Sequence, residues 1–225
     1  MNGPFDLIIF DYDGVIADSE LLNNAVMAEL LSEIGLPTTL DDALATYLGR
    51  RWLDCEQIIS QRLGAPSPPG IREEWTRRCH DRAERELCSV TGLEAFLSAR
   101  SEPRCIASSS PLDWIQMGLR RFGADQMFEG TIFSAAVHVN RGKPHPDLFL
   151  FAAKMMNVTS SRVLVIEDSP MGVMAGVAAG MRVIGLCAGG HVRDGHRQKL
   201  AEAGAHQIFD SYGDLSVWMT AQAQT

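Results

Sequence analysis

Leu7-Ile8-Ile9-Phe10-Asp11-Tyr12-Asp13-Gly14-Val15 begins with four consecutive apolar residues and breaks off at once into two carboxylates and a glycine. An unbroken apolar run, as opposed to an alternating one, is what a strand buried on both faces shows, and such strands belong to parallel sheets covered by helices. Both acids then stand at the strand's carboxyl end, the edge at which open α/β sheets bind ligands. Residues two apart on an extended chain point the same way, so Asp11 and Asp13 are expected to face one centre. Two carboxylates roughly 4 Å apart repel by about 4 kcal/mol at an effective dielectric near 20, and a cation or a proton relieves that repulsion. Taken alone, a DxDG stretch is equally well a polar turn. It is not a calcium loop, because Gly14 comes two residues early for D-x-[DN]-x-[DN]-G.

The same punctuation recurs along the chain. Cys105–Ala107 runs into Ser108, Thr131–Phe133 into Ser134, Val163–Ile166 into Glu167 and Val183–Leu186 into Cys187, each followed by a helix-like pattern. This predicts an α/β fold with a Rossmann-like parallel sheet. Ser169-Pro170 reads as an N-cap with proline at the first helical position, and Gly180 as a stop, so a helix is expected over 170–179. Its Gly172 and Gly176 read as close packing of helix on sheet. From about Asp18 to Glu86 buried strands are missing. Helical patterns are expected instead over Ser19–Ile34, Asp41–Leu63 and Ile71–Leu87, with a surface turn at Gly64-Ala-Pro-Ser-Pro-Pro-Gly70. The expected division is an α/β core of residues 1–17 and 87–225 with an all-helical insert at 18–86. The densely charged Arg72–Arg78 stretch reads as a solvated face stitched by i,i+4 pairs.

Composition narrows the class of protein. In 225 residues, 46% are hydrophobic and 21% charged, which excludes a disordered chain. Twenty basic against 28 acidic residues give a net charge of −8, which argues against a nucleic-acid partner. Five scattered cysteines without a CxxC pair argue against a disulfide framework. MNGPFDLIIFDYDG has no basic leader region, and nowhere does the chain reach the roughly 18 apolar residues of a membrane helix, so a cytoplasmic protein without a membrane partner is expected. His191 and His196 sit at no standard zinc spacing, and the ten methionines read as core filler.

Three further stretches carry chemistry. Glu167-Asp168-Ser169 ends another buried strand and brings the acids at one sheet edge to as many as four, a density suited to the hard oxygen ligands of Mg²⁺. Lys143, in Arg141-Gly-Lys-Pro-His-Pro-Asp147, is aimed by two prolines and reads as a countercharge for those acids and for an anionic ligand. Ser108-Ser-Ser110 offers hydroxyl and backbone donors at the same edge, or is a plain polar turn.

Together DYDGV, ASSS, RGKPHPD and IEDSPMGV resemble, in order and spacing, the four motifs of the haloacid dehalogenase-like hydrolase superfamily. The helical insert resembles the C1-type cap of its beta-phosphoglucomutase and phosphoglycolate phosphatase-like branch. The resemblance spans nearly the whole chain. It implies that Asp11 is the nucleophile, that Asp13 is the general acid/base, that Ser108 binds phosphate with Ser109 beside it, and that Lys143 stabilises charge. It also implies Mg²⁺ held by Asp11, Glu167, Asp168 and the backbone carbonyl of Asp13. Phosphoryl transfer needs an in-line nucleophile and neutralisation of the equatorial oxygens, which these residue types supply.

The expected function is therefore hydrolysis of a small phosphomonoester, a sugar or sugar-acid phosphate, by a monomer or weak homodimer. Arg50 and Arg51 are expected to bind a second anionic group of the substrate, or else to be a solvated pair. A sugar-phosphate mutase is the alternative, but where the mutase has a cap histidine, a cap arginine and a lysine after the second motif, this chain has Asn23, Trp52 and Pro111, which receive no role. A non-catalytic phospho-acceptor module fits less well, because it lacks both the DxD pair and the insert.

Overall fold

A computed structural model describes residues 4–50 and 52–222. Six strands form one parallel sheet: β1 Leu7–Phe10, β2 Arg104–Ser108, β3 Ile132–Ser134, β4 Val163–Glu167, β5 Arg182–Leu186 and β6 Gln207–Phe209. Their order is β3-β2-β1-β4-β5-β6, so the sheet runs outward in both directions from the pair β1 and β4. Ile9 lies beside Cys105 on one neighbour and Val165 on the other. The helices are α1 Ser19–Glu33, α2 Leu40–Tyr47, α3 Trp52–Leu63, α4 Ile71–Glu86, α5 Leu93–Ser98, α6 Leu112–Phe122, α7 Ala135–His138, α8 Asp147–Met155, α9 Pro170–Ala178, α10 His196–Glu202 and α11 Tyr212–Gln222.

Period-two alternation decides what each face of the sheet packs against. Leu7 and Ile9 join Cys105, Val163, Val165 and Val183 in a core completed by Leu148 and Phe149 of α8 and Val173 of α9. Phe10, on the opposite face, meets Phe96 and Phe128 edge-on at centroid distances of 6.2 and 5.9 Å. Every residue of β1 and β4 is buried, as their unbroken apolar runs require. β6, with one polar and two half-buried residues, escaped the sequence reading because an edge strand of three residues carries no such run.

The chain divides into two compact units, one running through Asp18 and resuming at Cys88, the other spanning Ser19–Leu87. The second unit is all helical. Its core gathers Met27, Leu31, Ala43, Tyr47, Cys55 and Ile59. The single helical stretch expected over Asp41–Leu63 is two helices, because Leu48 is extended and Gly49 sits at φ +70°, a left-handed turn that suits glycine. Thr39 and Asp42 cap α2 reciprocally, the Thr39 hydroxyl accepting from Asp42 N–H and the Asp42 carboxylate from Thr39 N–H. The charged face of α4 does carry i,i+4 pairs, and it also reaches across to α1 through Arg78–Glu33 and Arg82–Glu29. The methionine reading needs correction. Met27, Met181 and Met219 are core, but Met127, Met155, Met171 and Met174 are exposed. All five cysteines are free thiols. Among the described residues no helix is long and apolar enough to cross a membrane.

Candidate active site

The carboxyl ends of β1, β2 and β4 deliver most of the side chains that the sequence singles out. Asp11 follows β1 directly, and its N–H donates to Ile166 O of β4 at 3.0 Å, which holds the two strand ends together where the strand order reverses. Glu167 is the last residue of β4 and Asp168 the next. Asp11, Glu167 and Asp168 are all buried, and each places a carboxylate oxygen within 4.8 Å of the others'. Lys143, from the segment between α7 and α8, inserts its Nζ between two of them, 2.7 Å from Asp11 Oδ1 and 2.6 Å from Glu167 Oε1. Its ammonium also lies 5.1 Å from the Phe149 ring centre.

Three buried carboxylates against one ammonium leave an excess of negative charge, and the proton affinities record it. Burial, with Asp11 and Asp168 as like-charged neighbours, pushes Glu167 up despite Lys143, and burial pushes Asp168 well above the usual carboxylate range. Burial alone would lower Lys143, but the carboxylates of Asp11 and Glu167 outweigh it and the amine is held firmly protonated. Oxygen donors converging with uncompensated charge are what a hard divalent cation requires, so this donor set fits Mg²⁺.

Local structure fixes Glu167. Its Oε2 accepts from Ser169 N–H at 2.9 Å and Ser169 Oγ at 3.0 Å, and the same hydroxyl caps α9 by accepting from Gly172 N–H at 3.1 Å. A β-carbon at Gly172 would lie 1.6 Å from Glu167 Oε1, so the glycine makes room for the acid, whereas Gly176 lies against Val183 and Val165 of the sheet. The expected helix-on-sheet packing therefore holds at Gly176, and Gly172 serves the site.

Asp13 does not share Asp11's surroundings. The chain leaves the strand after Phe10 and turns, with Ile16 and Ala17 N–H donating to Tyr12 O and Gly14 at φ +75°. The extended geometry expected of the pair ends there. Asp13 Oδ1 accepts from Trp114 Nε1 at 3.0 Å, and Oδ2 accepts from the Ser110 hydroxyl. Ser108 Oγ accepts from Ser110 N–H at 3.1 Å, and Ser134 Oγ donates to Ser110 O at 2.7 Å. Ser109 is exposed at the same turn.

The Ser110 hydroxyl and N–H act as the donors that the Ser108–Ser110 stretch offers, whereas sequence reasoning missed Trp114, Ser134, His191 and His196. In the sequence His191 and His196 stand out only as histidines at no standard zinc spacing. His191 Nε2 lies 3.1 Å from Asp168 Oδ2 and His196 Nε2 lies 2.7 Å from Asp168 O. Their place just beyond β5, at the same carboxyl edge, was the available signal. Trp114 stands on α6, six residues past Ser108, and only folding brings it to Asp13.

Of the two arginines, Arg51 lies outside the described residues. Arg50 belongs to the helical unit, is exposed, and donates from Nε to Thr46 O at 2.6 Å. With Asn23, Tyr47, Trp52 and Trp75 it lines a cavity of about 180 Å³ within that unit. Trp52 stacks on Trp75 at 5.3 Å, and Trp75 Nε1 donates to Asn23 O at 3.1 Å. Pro111 caps the start of α6.

The haloacid dehalogenase-like hydrolase family model matches residues 8–186. The 6-phosphogluconate phosphatase of Escherichia coli is 28% identical over 83% of this chain and 84% of its own length. A conserved haloacid dehalogenase-like protein of Agrobacterium tumefaciens is 34% identical, with a TM-score of 0.89 covering 97% of this chain and 99% of that one. A family hydrolase of Deinococcus radiodurans, crystallised with phosphate and sodium bound, is 29% identical, with a TM-score of 0.84 covering 98% and 97%. The chain belongs to the haloacid dehalogenase-like hydrolases and is an enzyme of the phosphatase kind.

Proposed function

We propose that the protein is a Mg²⁺-dependent phosphatase that hydrolyses a small phosphomonoester, a sugar or sugar-acid phosphate, through an aspartyl phosphate on Asp11. The observation that carries this reading is the contrast between the two aspartates of one turn: Asp11 is ion-paired to Lys143 among buried acids, while Asp13 is held by a hydroxyl and an indole. Neighbouring carboxylates in different environments are suited to different tasks. An Asp11 oxygen attacks phosphorus as the bond to the leaving oxygen breaks, and Asp13 gives that oxygen its proton. Asp13 then takes a proton from water as the water attacks phosphorus and the acyl phosphate bond breaks, restoring Asp11.

Lys143 keeps its charge against the phosphoryl oxygens, with the Ser108 and Ser109 donors beside it. Asp11, Glu167, Asp168 and the Asp13 carbonyl would hold Mg²⁺, which when bound offsets charge on the phosphoryl group. Arg50 and Arg51 are assigned to substrates with a second anion, and the helical unit to selecting the substrate. The 6-phosphogluconate phosphatase relative supports the sugar-acid class, and the phosphate in the Deinococcus structure supports an anion site in this family.

The test is phosphate release across a panel of phosphomonoesters, with Mg²⁺ and with EDTA. Asp11→Asn is expected to lower turnover by at least about 10⁴-fold while the protein stays folded, and EDTA to abolish wild-type release. Turnover by folded Asp11→Asn at the wild-type rate would refute the mechanism.

A further inference from the structure

The loop from Cys187 to Gly195, between β5 and α10, lies outside the four motifs yet meets the acidic pair. His191 is 2% exposed, and its Nε2 faces Asp168 Oδ2. His196 Nε2 meets the Asp168 backbone oxygen, and because a carbonyl only accepts, that ring carries its proton on Nε2. The two rings stand edge to face at 5.6 Å. Gly190 N–H donates to Asp18 Oδ1 at 3.0 Å, tying the loop to the chain leaving the Asp11–Gly14 turn. Glycine is required on both sides of the His191 ring. A β-carbon at Gly189 would stand 2.7 Å from its Cε1 and Nδ1, and one at Gly14 would stand 3.0 Å from its Cε1 and 1.7 Å from Asp168 Oδ2. An imidazole enclosed between two backbones has little freedom to turn.

We propose that His191 is a positioning residue for the metal-binding carboxylate: it fixes the rotamer of Asp168 by donating from Nε2 to Oδ2, while His196 anchors the peptide that carries Asp168. A carboxylate already held in one orientation loses less freedom when it takes up a cation, and a donor on one oxygen directs the remaining lone pairs elsewhere. The inference rests on the reading of Asp168 as a metal ligand.

Calorimetric titration of the whole protein with Mg²⁺ tests it. His191→Leu, which keeps bulk and removes the donor, is expected to weaken Mg²⁺ binding by about 10- to 100-fold, with kcat at saturating Mg²⁺ changing far less than the Mg²⁺ concentration needed for half-maximal rate. His191→Gln sets an amide N–H near the position of Nε2 and is expected to restore most of the affinity; His191→Asn, one carbon shorter, is not. Leucine and wild-type proteins with equal Mg²⁺ affinity would overturn the proposal, as would glutamine and asparagine variants that do not differ, which also decides the matter if the leucine variant fails to fold. A wild-type protein that takes up no Mg²⁺ would sink the metal reading and this inference with it, whereas bound Mg²⁺ with no effect at position 191 would sink the inference alone.

Discussion

Gly14 shows how closely single residues are fitted round the acids. It follows Asp13, adopts φ +75°, and leaves the space that Asp168 Oδ2 fills. A side chain there meets two objections at once: the left-handed backbone costs an L-residue about 1–2 kcal/mol, and the new carbon would displace a carboxylate assigned to the metal. Gly14→Ala is expected to lower the unfolding free energy by at least that amount and to remove most phosphatase activity, as read by denaturant unfolding and phosphate release; a variant matching wild type in both would show that the turn tolerates the carbon. At this scale the sequence was informative for the acids at the ends of β1 and β4, Asp11 and Glu167, and for the proline-flanked Lys143, whose Nζ lies within 3 Å of both. It was silent on Trp114 and did not pair His191 with Asp168, because an indole and an imidazole become partners of particular carboxylates only when the sheet order sets those chain segments side by side.

Helix α9 joins an element's stability to the geometry of the site. Ser169 caps it and holds Glu167 with the same hydroxyl, and Gly172 in its first turn lies where that carboxylate needs room. In an ordinary helix glycine to alanine gains about 1 kcal/mol. Here the added methyl must evict Glu167 from Lys143 and Ser169, and hydrogen bonds to charged groups contribute about 1.5–3 kcal/mol each. Gly172→Ala is therefore expected to destabilise the fold by about 2 kcal/mol or more in chemical denaturation; a stabilised variant would mean that Glu167 is free to move. α9 and the first five strands were legible because caps, proline and unbroken apolar runs are local signals. The break between α2 and α3 and the edge strand β6 were not, since Gly49 interrupts a pattern otherwise good for helix and Gln207–Phe209 has too few apolar residues to stand out.

Across the whole molecule, the strand order places β1 and β4 side by side at the point where the sheet changes direction, and the acids of two distant motifs meet there for that reason. The net charge of −8 is no obstacle to an anionic substrate when one buried ammonium and a divalent cation dominate the local field. The helical unit has a core of its own, and Asp11, Lys143, Glu167 and Asp168 all belong to the α/β unit. The most direct measurement is a crystal structure of the protein with Mg²⁺ and beryllium fluoride, a mimic of an acyl phosphate. The predicted result is beryllium bonded to an Asp11 oxygen, Lys143 and the Ser108 turn against the fluorines, and Mg²⁺ held by Asp11, Glu167, Asp168 and the Asp13 carbonyl. Beryllium fluoride attached to any other residue, or an Asp11 left bare at saturating ligand, would contradict the account.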